Sequence, residues 1–536
     1  MSAEPVDPLT EQLRAADALR LQQRWAEALS AYQAILRAHP RLAVVAHNMA
    51  VCHMALRQYS AAVEYATIAQ RLHGDLWQSG LIAAKAQHLM GQGITALQTL
   101  YKLSELHPQQ PQIDLEIARR NLHTLCHPKA SAQAVAHLLN HPHFGHQARQ
   151  MTLLAQLYDR PAHINSAALS QALVQHAQAT IQPPRRGLLA KPAPGGRHRI
   201  GIIGNQLFSS PVYYLAIGAL RQMAADADII VFNRSGKSDW ATQQFEAIAT
   251  EWHNVSQHNA KTLADTLRQH PVHALIDLCG WMDPTALQAL ATQPAMRQYK
   301  WVGGQSVTTG LKCFSGFITD EHHTPEGSEL YYTEPLLRVP GGYVSYTPPP
   351  YMPAAQNAPS DGVHIGIIAN PAKLSDGYLA YVRQHWATWQ QRSIAPLKLH
   401  LIDKRYALGP LQQRIRDQLM GLPLQFVTPT SHADYLRTIG RLHAVLDTWP
   451  YSGGLTTIEA HALGVPVYTR SNGLLFSERH SHAHNQYLGM DIPTIDDPDF
   501  TPAHALLIDR RELQQAAARR QLHSPLAQKL LSEMIR

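Results

Sequence analysis

Apolar positions follow two regimes along the chain. Up to about residue 180 they recur at helical spacing, and from residue 198 onward they gather into short unbroken runs. In the first regime, setting WAEALSAYQAILRAHP over YSAAVEYATIAQRLHG and TALQTLYKLSELHP exposes a period of 34 residues. Ala28, Ala62 and Ala96 fall in register, as do Ala16, Ala50 and Ala84, then Ile35, Ala69 and Leu103, and finally Pro40, Gly74 and Pro108. A small residue lets two helix axes approach, and a proline or glycine ends the second helix of each pair.

This phasing predicts tetratricopeptide-type helix pairs over residues 1–125. Such arrays curve around an inner face that takes extended peptide, so a protein or peptide partner is expected there. Residues 126–182, including SAQAVAHLLN and QARQMTLLAQLYD, stay helical in pattern but lose the phase, and are expected to cap the solenoid and connect it onward. At 183–199, PPRRGLLAKPAPGGRHR carries four prolines and three glycines, which marks a linker.

The second regime alternates apolar runs with helical segments. HRIGIIG (198–204), ADIIVFN (227–233) and HALIDLCG (273–280) have no polar face, as strands of a parallel sheet covered on both sides would not. VHIGIIAN (363–370), LKLHLID (397–403), LQFVTP (424–429), HAVLDTW (443–449) and PVYTRS (466–471) repeat the scheme beyond the proline-rich GGYVSYTPPPYMP. Two doubly wound α/β domains are therefore predicted, at 200–350 and 360–510, followed by a C-terminal helix over 511–536. Ligands of such sheets bind at the carboxyl ends of the strands.

Composition narrows the function classes. With 536 residues, 45% hydrophobic and 16% charged, the chain has the profile of a globular protein of several domains. The net charge of +7 is spread over scattered lysines and arginines, which argues against nucleic acid and for a mild attraction to anionic ligands. Four cysteines without a CxxC pair, no leader pattern and no run long enough to span a bilayer point to a cytoplasmic protein. Among 32 histidines a lone one says little.

The sharpest chemistry lies in LDTWPYSGGLTTIEAHALGVP, where a strand turns through Gly453 and Gly454 into a helix bearing Thr456, Thr457 and Glu459. Unpaired N–H groups and the positive end of the helix dipole suit a diphosphate, with the two hydroxyls as added donors. Read alone, the stretch slightly favours a plainer role, with Thr456 capping the helix and Glu459 completing the cap. In HIGIIANPAKLSDG, Asn370 and Lys373 stand just beyond a strand, where a lysine can reach a phosphate.

These segments, taken in order with RHRIGIIGNQLFSSPVYYL, HALIDLCGWMDPTALQALATQPAMRQYKWVGGQSVTTG, ITDEHHTPEGSELYYTEPLLRVPGGYVSYTPP and FSERHSHAHNQYLG, resemble the protein O-GlcNAc transferase and SPINDLY family. The resemblance implies an α-helical tetratricopeptide solenoid followed by a GT-B type glycosyltransferase. It implies inverting, metal-independent transfer of a sugar from a nucleotide diphosphate sugar to a protein side chain, most simply Ser or Thr. The sugar would be N-acetylglucosamine or a related hexose, with a UDP donor favoured over GDP and no cofactor. A fucosyl donor, a small-molecule acceptor or a non-catalytic scaffold remain as alternatives.

By the same resemblance Lys373 stabilises the leaving diphosphate beside Asn370, Thr456 and Thr457 belong to the phosphate loop, and Glu459 holds the ribose. His432 or Tyr435 would stack on the base. The family's first-loop histidine is replaced by Ser210, which leaves His273, at the start of a strand, as the candidate to activate a hydroxyl; packing at a strand edge explains it nearly as well. Arg479 is carried over as a cleft residue. No metal site is expected, and SERHSHAH reads as a loop rather than a zinc site.

Overall fold

The computed structural model describes residues 7–181, 192, 196–304, 306–354, 356–522 and 525–535. Most of the expected linker at 183–199 lies outside these residues, as does Arg536 at the end of the expected C-terminal helix. The chain divides into two compact units, residues 1–152 and 153–536.

The first unit is built of antiparallel helix pairs. The second helices of successive pairs are Trp25–Ala38, Tyr59–Leu72 and Gly93–Leu106, and the first helices of the pairs that follow are Ala43–Ala55, Trp77–Leu89 and Pro111–His123. Both series advance by 34 residues, the period of the sequence. Ala28, Ala62 and Ala96 are each 0% exposed, because a side chain of one carbon is what the close helix contact admits. Within each pair the turn passes through a left-handed residue, Gln23, Arg57 and Gly91, again in phase. Only Gly91 adopts that conformation without steric cost.

The second unit holds two parallel sheets. The first comprises β1 (His198–Gly204), β2 (Ala227–Asn233), β3 (Glu251–Asn254), β4 (Ala274–Asp277), β5 (Gln298–Lys300), β6 (Gly316–Thr319) and β7 (Leu336–Arg338), in the order β3-β2-β1-β4-β5-β6-β7. The second comprises β8 (Val363–Ile367), β9 (Leu397–Ile402), β10 (Leu424–Val427), β11 (Ala444–Leu446) and β12 (Val467–Tyr468), in the order β10-β9-β8-β11-β12. Strand order reverses between β1 and β4 and between β8 and β11, so each sheet opens a crevice at the carboxyl ends of those strands.

Alternate residues of the central strands enter different cores. Ile200, Ile202, Ile229 and Val231 pack on one face of the first sheet, and Ile203, Ile230 and Phe232 on the other. Burial on both faces is why these strands read as unbroken apolar runs.

Two expected boundaries are corrected. The connector 126–182 is divided, because Leu153, Leu169, Leu173 and Ala177 belong to a core of the first sheet rather than to a cap on the repeats. The C-terminal segment forms two helices, Arg510–Leu522 and Leu526–Ile535, not one. Leu526, Leu530 and Met534 of the last return to the opposite face of the first sheet. The proline-rich stretch between the sheets packs on the first sheet: Tyr343, Val344 and Tyr346 are buried, and Thr347 N donates to Tyr214 O at 2.7 Å.

Candidate functional site

The carboxyl ends of both sheets face one cavity of about 580 Å³ within the second unit. Segments after β1 and β5 supply Gln206, Ser209, Ser210, Tyr214, Gly303 and Gly304; segments of the second sheet supply Asn370, Lys373, Arg405, His432, Tyr435, Gly454, Thr456 and Glu459. Gly303 and Gly304 have φ of +75° and +64°, and a Cβ at either would lie 2.4 or 2.8 Å from a carbonyl oxygen of the β4 loop. Only glycine lets that loop lie so close.

The phosphate-type turn is shaped by Asp447 at the end of β11. Its carboxylate accepts from Gly453 N at 2.7 Å, Ser452 Oγ at 2.6 Å and Thr469 Oγ1 at 2.8 Å. A Cβ on Gly453 would sit 2.9 to 3.2 Å from Thr457 Oγ1, Thr456 Oγ1 and Asp447 Oδ1, so this position has no room for a side chain. The helix Leu455–Ala462 starts from Gly454 with no side-chain cap. Neither Thr456 nor Glu459 caps it, which removes the plainer reading of the stretch. As in any helix, the first N–H groups have no intrahelical acceptor and carry the positive end of the dipole.

Lys373 stands beside this turn. Its Nζ donates to Ser452 O at 2.7 Å and lies 4.3 Å from the centre of the Tyr451 ring. Burial pulls its pKa down to about 8, and the Asp447 carboxylate opposes that shift. Asn370 Oδ1 accepts from Ala372 N at 3.0 Å and from Arg405 Nη1 at 2.6 Å. Arg405 is itself held by Asp403 through two hydrogen bonds of 2.8 and 3.0 Å.

Also on the cavity wall, His432 is held on both ring nitrogens, Nε2 by Glu459 Oε1 at 2.8 Å and Nδ1 by Tyr351 Oη at 3.1 Å. Burial raises the Glu459 carboxyl above the ordinary carboxylate range, with His432 partly offsetting it. Tyr435 lies nearly parallel to His432, centroids 6.0 Å apart, and donates to Ile368 O at 2.8 Å. The two alternatives for a base-stacking ring therefore stand side by side.

The remaining expected residues divide. Ser210 lines the cavity and donates to Gln206 O at 2.8 Å. Thr457 is buried with its hydroxyl 2.8 Å from Gly453 O and 2.7 Å from Ser481 Oγ, so it braces the turn from behind instead of presenting a donor to the cavity. His273 is corrected: it precedes β4, at the amino end of a parallel strand, whereas the cavity lies at the carboxyl end. Four strand residues at about 3.3 Å each separate it from the site. Its Nδ1 accepts from Arg199 N at 3.0 Å, and its ring packs edge-on against His198. Arg479 is corrected as well, since its guanidinium donates to His322 O at 2.9 Å and Gly473 O at 2.8 Å and joins two loops outside the cavity wall. The segment SERHSHAH is not a loop; it enters a helix, His480–Gln486, because His480, Ala483 and His484 share a buried face.

Sequence reasoning missed Arg405, Tyr214, Tyr351 and Asp447. Arg405 had a readable signal, since LIDKRY places a charged tripeptide directly beyond β9. The tyrosines had none, because their partners come from distant segments: Tyr214 Oη meets Ser209 Oγ at 3.1 Å and Tyr351 Oη at 2.9 Å.

Among the described residues no helix is long and apolar enough to cross a membrane. No family model matches the chain. Over 300 residues, 53% of this chain, it is 26% identical to a probable UDP-N-acetylglucosamine–peptide N-acetylglucosaminyltransferase SPINDLY of Petunia hybrida. The SPINDLY protein of Arabidopsis thaliana matches with the same identity and length. The matched segment is 31% of each of those relatives, so the chain spans about a third of their length. Among solved structures, a mutant of the Thermobaculum terrenum O-GlcNAc transferase superposes with a TM-score of 0.66 at 20% identity, over 99% of this chain and 98% of that one. The fold is thus a helical-repeat region followed by two parallel-sheet domains of GT-B type.

Proposed function

We propose that this chain is a member of the protein O-GlcNAc transferase and SPINDLY-like family and, as such, an inverting glycosyltransferase acting on protein side chains. The donor is a nucleotide diphosphate sugar, with UDP-N-acetylglucosamine the first candidate because the matched relatives carry that donor in their names. The acceptor is a Ser or Thr hydroxyl on a polypeptide presented by the repeats, in the cytoplasm.

One observation carries the reading: the Lys373 ammonium and the uncapped start of Leu455–Ala462 meet on one cavity wall. The acceptor oxygen attacks the anomeric carbon on the face opposite the leaving group. The bond from that carbon to the diphosphate oxygen breaks, and the nucleoside diphosphate departs with the electron pair. Negative charge grows on the diphosphate as the bond stretches, and that charge is what a fixed ammonium and backbone N–H groups stabilise most in the transition state. Asn370, oriented by Arg405, and Thr456 steer the same group, while His432, Tyr435 and Glu459 take the nucleoside. The acceptor proton leaves through water.

A second reading is favoured by the first sheet, which among the described residues adds no imidazole or carboxylate to the cavity wall. Under it the chain is a scaffold that binds nucleotide without turnover. Transfer and donor-hydrolysis assays with UDP-N-acetylglucosamine, run on the parent and on Lys373→Ala, separate the two. A transferase loses turnover in the variant, whereas a scaffold has none in either. A melting-temperature screen with UDP, GDP and their sugars identifies the donor.

A further inference from the structure

Three buried imidazoles converge against the cavity wall, which His480 joins, and the proposed transfer step gives none of them a role. One ring nitrogen from each of His323, His480 and His484 lies within 4.8 Å of the others. The three residues are 0%, 4% and 0% exposed. His480 and His484 are four residues apart on the helix His480–Gln486, the spacing that puts two side chains on one helical face, and their rings are parallel within 14°. His323 comes from the loop between β6 and β7, its ring centre 5.3 Å from that of His480 and 5.0 Å from that of His484.

Asp320 fixes the chemistry of the third ring. Both of its oxygens lie 2.9 Å from His323 Nδ1, and they also accept the backbone N–H groups of His322, His323 and Tyr343. A carboxylate that accepts this many donors is ionised, so Nδ1 keeps its hydrogen and the lone pair of the ring sits on Nε2. A carboxylate behind a histidine is the arrangement that orients metal-ligating imidazoles. Aromatic packing accounts for part of the cluster, since Phe476 stacks on His323 at 4.5 Å. Packing does not require ring nitrogens to converge, nor does it leave His480 Nδ1 buried without a hydrogen bond among the described residues.

We propose that His323, His480 and His484 bind one divalent transition-metal ion, Zn²⁺ first among them, as a staple between the two sheets' loops. Neutral imidazoles suit Zn²⁺, Co²⁺ and Ni²⁺, bound at about 2.0–2.1 Å, and a fourth position falls to water. The nitrogens, all within 4.8 Å of one another, must close to the roughly 3.4 Å that such bond lengths impose, which ring rotation would supply. The ion has a structural role. The helix it anchors supports the phosphate-type turn, with Ser481 N donating to Ser452 Oγ at 2.8 Å.

The test uses the full chain stripped with a chelator. Zn²⁺ is titrated against a chromophoric competitor, melting is followed with and without Zn²⁺, and Co²⁺ is added to record its visible spectrum. One Zn²⁺ per chain, a raised melting temperature and the intense bands of low-coordinate Co²⁺ are expected. His484→Ala and His323→Phe, the latter keeping the ring on Phe476, each weaken Zn²⁺ binding at least about 100-fold. His253→Ala, in the half-exposed Glu251, His253 and His270 cluster, leaves it unchanged. The proposal is overturned if the parent binds Zn²⁺ no more tightly than about 10 µM, if His253→Ala alone abolishes binding, or if the triad variants bind as the parent does. Should neither triad variant fold, the Co²⁺ spectrum of the parent decides: six-coordinate, weakly absorbing Co²⁺ sinks the idea.

Discussion

The two sheets of the second unit end on the same cavity with opposite equipment. The second contributes Lys373, Arg405, His432 and Glu459, whereas the first contributes Gln206, Ser209, Ser210, Tyr214 and the backbone of Gly303 and Gly304, with no charged side chain among the described residues. A cavity with its charge on one side orients an anionic ligand before any reaction begins. The charged wall fits a diphosphate donor, and the hydroxyl-lined wall leaves room for an acceptor that needs position more than charge. Substitutions on the two walls should therefore fail differently.

The largest effect is expected from Lys373→Ala, with turnover falling by about 10²–10³ while the acceptor KM changes little, measured as initial rates of transfer. Next comes pH. Burial lowers the Lys373 pKa from its ordinary value to about 8, so the ammonium needed for catalysis is present below pH 8 and is lost as pH rises through it. The kcat/KM profile should be flat from neutrality to about 8 and then drop roughly tenfold per unit. Glu459→Ala removes the partner of His432 and should weaken UDP binding about tenfold by calorimetry, close to 1.4 kcal/mol. On the opposite wall Ser210→Ala should alter donor affinity by less than about twofold, because its hydroxyl is engaged by Gln206 O and not by the donor. An effect at Ser210 as large as that at Glu459 would erase the distinction between the walls.

Much of this architecture is legible in the chain. The repeats announce themselves because an alanine at a helix crossing cannot drift in phase, and β1 and β2 match their apolar runs because both faces are covered. The strands β3, β5 and β7 escape because EWHN, QYK and LLR carry polar or charged side chains where β1 and β2 have apolar ones, and β6 escapes as well. In β5 the final residue is a lysine, 2% exposed, whose Nζ is satisfied by the carbonyl of Gly303 at 2.9 Å. No hydropathy pattern anticipates a lysine solvated by the carbonyls of a folded-back loop.

Site residues divide along the same line. Lys373, Thr456 and Glu459 follow strand ends that the sequence marks, so their convergence could be foreseen. Thr457 could not be told from Thr456 in sequence, but one helical step of about 100° turns it from the cavity toward Ser481. His273 was readable as the wrong end of a parallel strand, and family likeness outweighed strand direction there. The imidazole triad unites residues more than 150 positions apart, and only the fold brings them together.

The most direct test is a crystal structure of the chain with UDP bound. The account predicts the β-phosphate within about 2.8–3.0 Å of Lys373 Nζ and of the backbone N–H groups of Leu455 and Thr456, with the uracil beside His432 or Tyr435. A diphosphate bound elsewhere, or one in this cavity that leaves the Lys373 ammonium untouched, would contradict it.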